Sequence, residues 1–383
     1  MPKHSTHQLK FRSYADRDTG ARVTQLTPPE VVCHRNYFYQ KCFSNDGNQL
    51  LFSGEFDGRR NYFMLDLLAQ TARQLTGGES ENAFGGFLSP DDSLLYLVRG
   101  GRSLIRVHLK TLAEEVVYTS PPEWVSYGTW VANTACTKLV GIEIAKTDWF
   151  PLSDWTKFRE MFTTKPRCRL IRIDLATGQR EVIHEENLWL GHPLYRPGDD
   201  NTIAFCHEGP HDMIDARMWF INEDGSNLRC GREHELHESC THEFFVPDGS
   251  KMIYVSYKEG DTQRYIRSLD PETLKDELLV TMPPCSHLMS NFDGTLIVGD
   301  GCETPMDVDN KAGHAFEPDP YLHVFDVTKK TDKKVVRHDT SWQVVKGDRQ
   351  LTHPHPSFSP DEKSVLYSSD CNGNTALFLA SIT

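Results

Sequence analysis

Seven short turn motifs recur along this chain at intervals that a single repeating unit explains. They are NDG at Asp46, PDD at Asp91, AN at Asn133, PG at Gly198, PDG at Asp248, FDG at Asp293 and PDE at Asp361. Successive positions differ by 45, 42, 65, 50, 45 and 68 residues, as expected for a four-stranded blade of about 40–50 residues with two long insertions. Each anchor is followed by a β-branched and aromatic run, a polar turn and a second such run, as in LLFSGEFDGRRNYFMLDL and KMIYVSYKEGDTQRYIRSLD. That pattern is strand, hairpin, strand. A unit of this kind buries its faces only against its neighbours, so seven copies predict an all-β, seven-bladed β-propeller, one domain spanning 1–383.

Ring closure is legible as well. The last anchor leaves room for only two more strands, SVLYSSD and ALFLASI, whereas ARVTQLT near the N-terminus resembles TARQLT, the outer strand of the first repeat. The N-terminal segment is therefore expected to complete the last blade and remove the free edge. Within the 144–165 insertion, TDWFPLSDWTKFREMFTTK has the spacing of a short amphipathic helix following Ser153 as its cap, a flap or an outer decoration. The insertions at 303–319 and 339–352 are rich in Asp, Pro and Gly and read as loops beside the ring.

Six residues before each anchor stand Gln40, Gly85, Tyr127, His192, His242, His287 and His355. Equivalent positions in a propeller form a ring, so four consecutive histidines are expected to converge at one mouth of the central channel. In RQLTHPHP, His353 and His355 lie two apart, each before a proline that favours extended backbone, which would aim both to one side. With His287 from the neighbouring blade and Gln350 on the approaching loop, they offer three nitrogens and one amide oxygen to a divalent ion. Imidazoles with an oxygen ligand suit manganese, iron or zinc. The alternative is that these histidines merely pack and hydrogen-bond within blade edges. His242 lacks a second nearby ligand, and a free imidazole with a pKa of about 6.5 suits a general base. Arg217 offers a guanidinium to an acidic substrate or its developing anion. Arg35, His192, His207, His211 and Arg349 are further candidates for holding substrate.

Composition narrows the partners. A formal charge of −13 argues against nonspecific nucleic-acid binding, so an anionic ligand needs a local positive site. No apolar run reaches the roughly 18 residues of a membrane span. The start MPKHSTHQLKFRSY lacks the apolar core of a secretory signal, which makes the cytoplasm the default compartment. Ten cysteines without a CxxC pair read as reduced thiols, and Cys240 and Cys285, two residues before ring histidines, as packing groups.

At these same residues the chain resembles the oligogalacturonate lyases, seven-bladed propeller enzymes of pectin breakdown. HRNYFYQKCF, YGTWVAN, LGHPLYRP, FCHEGPHDMIDARMW, CTHEF, PPCSHLMSNFDG and DRQLTHPHPSF carry the likeness over essentially the whole chain. The resemblance implies a Mn2+-dependent β-elimination on short galacturonides, an acidic oligosaccharide substrate, and metal ligands at His287, Gln350, His353 and His355. It also implies a base at His242 and an arginine at Arg217. The competing readings are a noncatalytic protein-binding propeller, which needs neither HPHP nor ring histidines, and a metal-dependent hydrolase using the same ligands on water. A propeller-linked serine peptidase would need a GxSxG elbow, which the chain lacks. Oligomeric state is not legible.

Overall fold

The structure, a computed structural model, describes residues 3–150, 152, 155–258, 261–285, 287–302, 319–342 and 352–382. Seven antiparallel sheets form a seven-bladed β-propeller, with one short α-helix among the described residues. The anchors recur for a local reason. Each anchor aspartate accepts a hydrogen bond from the backbone N–H two residues on, as Asp46 does from Asn48 at 3.0 Å and Asp248 from Ser250 at 2.8 Å. In three blades a serine two residues upstream also donates to it, at 2.6 Å in Ser44–Asp46, Ser89–Asp91 and Ser359–Asp361. These side-chain turns fix where each inner strand reverses.

Blade faces are buried on both sides, so second strands read as continuous apolar runs. Leu50, Leu51 and Phe52, and likewise Met252 through Val255, have no exposed surface. Between blades 5 and 6 one cluster joins Phe244, Val255 and Ile266 to Leu288, Ile297 and Phe325. This close-packed interface between neighbouring sheets is what makes the ring rigid.

The N-terminal segment closes the ring more thoroughly than expected. Arg22–Gln25 pairs with the C-terminal strand Ala376–Ser381, Val23 opposite Ala380, as the likeness of ARVTQLT to an outer strand implied. Arg12–Ala15 then adds a fifth strand to blade 7, and Thr6–Gln8 pairs with Thr71–Gln74 on the outer edge of blade 1. One segment of chain therefore staples the last blade to the first.

The helix expected in the third repeat is present at Trp155–Thr163, and Ser153 lies outside the described residues. It is docked, not free. Met161 is fully buried, Phe158 lies 4.7 Å from Trp189 between ring centroids, and Arg159 Nη2 is 2.7 Å from Asp212 Oδ1. Residues 303–318 and 343–351, which hold most of the other two insertions, lie outside the described residues.

Blade 1 departs from the repeat. Its inner strand is only Cys33–His34 and returns to pair at Phe43 with Leu50, while the residues between cross the channel. Tyr39 Oη meets Thr129 Oγ1 of blade 3 at 2.5 Å, Gln40 Nε2 donates to the Trp130 carbonyl at 2.9 Å, and the Phe38 ring lies 6.1 Å from Phe244 of blade 5. Gln40, which the register placed on the ring, is thus part of a plug. A cavity of about 440 Å³ lies toward the mouth that carries the anchor turns, with Phe38 and Tyr39 in its wall.

Candidate active site

The ring histidines come from four neighbouring blades. His192 lies in the inner strand Leu190–Tyr195, His242 in Glu238–Phe245, His287 just before Leu288–Ser290, and His355 just before Ser357–Phe358. In blades 4 and 5 the inner strand carries one extra residue at the histidine: Gly191 pairs with Cys206 and Leu194 with Ala204, Thr241 with Val255 and Phe244 with Ile253. Such a bulge re-aims side chains. His192, His242 and His355 all adopt a left-handed backbone, with φ of 44°, 55° and 45°. This conformation is uncommon for non-glycine residues and concentrates at functional sites. For His355 it also replaces the extended backbone that its following proline favours.

Three imidazoles converge. Ring centroids lie 4.2 Å apart for His287–His355, 4.7 Å for His287–His353 and 5.1 Å for His353–His355, and His242 is 4.5 Å from His287. One ligating nitrogen from each of His287, His353 and His355 fits within 4.8 Å of the others. Both ring nitrogens of His353 and Nε2 of His355 are buried and without a hydrogen-bond partner among the described residues. Buried polar atoms are normally paired, so nitrogens orphaned toward one point fit a cation. Burial, reinforced by His287, pushes His353 and His355 well below the usual histidine pKa, which keeps them in the neutral, ligating form. His242 Nδ1 lies 3.1 Å from Thr241 Oγ1.

The plug forms the floor. Phe38 sits 6.1 Å from His287 and 6.2 Å from His355, and Tyr37 lies 5.3 Å from His355 and 5.8 Å from His192. His192 is thus joined to the three-histidine cluster through Tyr37. On its other side a charged group is buried: Arg217, 2% exposed, places Nε 2.6 Å from Glu243 Oε2 and Nη1 3.4 Å from Glu208 Oε1. Burial opposes Arg217's charge, but the Glu243 and Glu208 carboxylates around it raise its pKa well above the ordinary value.

The other sequence candidates fall elsewhere. Arg35 is buried and donates to the backbone carbonyls of His355 and, at 3.2 Å, Leu366, so it braces the histidine's backbone. His207 pairs with Glu186 at 3.0 Å and leans on Trp219 at 4.8 Å, apart from the histidine cluster. His211 begins the short 3-10 turn His211–Met213, and Arg349 and Gln350 lie outside the described residues. Sequence reasoning missed Asp300, Glu243, Glu208, Tyr37 and Phe38. Of these, Glu243 and Glu208 stood next to recognised histidines, His242 and His207.

Comparison with known proteins bears on the whole chain. The family described as oligogalacturonate lyase matches residues 1–383. An oligogalacturonide lyase of Pectobacterium atrosepticum is 61% identical over 382 residues, covering 100% of this chain and 98% of its own, and an oligogalacturonate lyase of Dickeya dadantii is 60% identical over the same coverage. A solved oligogalacturonate lyase in complex with manganese superposes with a TM-score of 0.95 at 59% identity, covering 100% of this chain and 99% of the other. A repeat fold alone would not produce such identity from end to end, and this chain belongs to the oligogalacturonate lyase family.

Proposed function

We propose that the protein is an oligogalacturonate lyase acting on short galacturonides, digalacturonate and its unsaturated form among them, by β-elimination at a manganese-dependent site. The observation that carries this is the convergence of His287, His353 and His355 with orphaned nitrogens beside His242, in a chain about 60% identical to lyases of that name. The C5 proton of a uronate is α to a carboxylate, and the negative charge makes that carbon a poor acid. A divalent cation held by His287, His353, His355 and Gln350 would supply charge neutralisation to that carboxylate. Manganese is the metal in the solved relative.

The chain's own residues do the rest in this reading. His242 takes the C5 proton, the C5–H electrons form the C4–C5 double bond, and the C4–O bond breaks with its pair leaving on oxygen, which gains a proton from solvent or a nearby acid. Arg217 stabilises the charge that develops on the carboxylate. Product mass is the direct test. Elimination gives fragments whose masses sum to the substrate, one unsaturated at its new end or rearranged to the 5-keto-4-deoxyuronate. Fragments summing to substrate plus one water would make the protein a hydrolase, and no turnover with manganese present would make it a binding propeller.

A further inference from the structure

The Glu243 carboxylate joins blades 4 and 5 at the channel. Glu243, 1% exposed, divides its oxygens between two partners on blade 4: Oε1 is 3.1 Å from His192 Nδ1 and Oε2 is 2.6 Å from Arg217 Nε. Glu208 completes the enclosure, with Oε1 3.4 Å from Arg217 Nη1 and Oε2 3.6 Å from His192 Nε2. Position follows from the bulge in blade 5, where His242 and Glu243 together stand opposite the single residue Tyr254. The same one-residue insertion that turns His242 toward the histidine cluster therefore delivers Glu243 to the arginine.

His192, Cys206 and Glu243 also have the spacing of a metal site. Arg217 already occupies the Glu243 carboxylate and places Nη2 3.4 Å from His192 Nδ1, which puts a positive charge where an ion would sit. A fixed guanidinium, not a second ion, is what this cluster holds.

We infer that Glu243 is a positioning residue for the elimination: it orients Arg217 and His192 across the blade interface and ties that orientation to the strand that carries His242. The inference rests on the lyase reading above. Donors aimed in advance at developing charge lower the barrier because nothing reorganises during reaction. Both Glu243 oxygens are already engaged by His192 and Arg217, so its loss is felt in the transition state more than in substrate binding.

Glu243→Gln should lower kcat by about 10–100-fold, the usual cost of removing a group that orients another, with KM and bound manganese close to wild type. Glu243→Asp keeps the charge but is one methylene too short to span both partners. It should remain folded at the assay temperature and still lose kcat. In an Arg217→Met background Glu243→Gln should cost less than it does in the wild type, since the part of its effect that passes through the arginine is already lost. Wild-type kcat in Glu243→Asp, or losses that simply add in the double variant, would overturn the inference. Wild-type protein run alongside separates the two claims: if it yields no unsaturated product the lyase reading fails, whereas an active wild type beside an equally active Glu243→Asp refutes only the role of Glu243.

Discussion

His287 Nδ1 lies 2.6 Å from Asp300 Oδ2, and the other oxygen of the same carboxylate accepts the His287 backbone N–H at 2.9 Å. Asp300 is fully buried. This two-point grip assigns the proton to Nδ1, sets the ring plane, and leaves Nε2 for a cation. Asp300→Asn should therefore weaken manganese binding by about 10–100-fold, measured calorimetrically on the folded protein. An unchanged Kd would show that packing alone orients His287.

His242 touches His287 yet stands outside the group of nitrogens that fits one cation. His242→Ala is expected to keep its manganese and its fold while turnover drops by roughly 10²–10⁴-fold, the contribution of a positioned base. Metal content by elemental analysis, read with the rate, decides it. A variant that loses the ion together with activity would make His242 a ligand.

Register in the sequence located the imidazoles because anchor turns and ring positions both repeat, and repetition survives without any tertiary information. The blade count, the closing strand Arg22–Gln25 and the helix Trp155–Thr163 were legible for the same reason: each is a local pattern. What broke the repeat was not legible. Tyr37–Gln40 carry the same register signal as an ordinary inner strand, but in blade 1 they leave the sheet to fill the axis, and only the space between seven blades explains why. Asp300, Glu208 and Glu243 were missed because their partners are brought to them from other strands only by the fold. For Arg35 the sequence shows only a charge near the site; its hydrogen bonds in the structure go to the carbonyls of Asn36, His355 and Leu366 and to Cys42 Sγ.

Arg217→Lys should be nearly as damaging as Arg217→Met. Arg217 reaches Glu243 through Nε and Glu208 through Nη1, two directions fixed by one planar group. Lysine keeps the charge but is a single point donor on a flexible stem, so one carboxylate is left buried without its partner. Steady-state kinetics on both variants, normalised to folded protein, should give kcat values within a few-fold of each other. Wild-type-like rates for Arg217→Lys would mean that charge alone is required.

Away from the channel, His323 is 1% exposed and lies between two carboxylates, Nδ1 2.8 Å from Asp332 and Nε2 3.0 Å from Asp319. Burial by itself would lower its pKa, but the two aspartates outweigh it and bring the group to about 9. An imidazolium whose pKa is higher folded than unfolded contributes stability that is complete below the unfolded value of about 6.5 and disappears as pH rises through about 9. The His323→Gln variant should accordingly show its full destabilisation relative to wild type at and below pH 6.5, by about 2–3 kcal/mol, the pKa shift converted and reduced because Asp332 is partly exposed to solvent. Thermal midpoints of both proteins, taken between pH 6.5 and 9.5, should approach each other with rising pH as the wild type loses its buried cation. A gap that stays constant across that range would mean that His323 stabilises blade 6 through packing on Phe325, 5.7 Å away, and not through its charge.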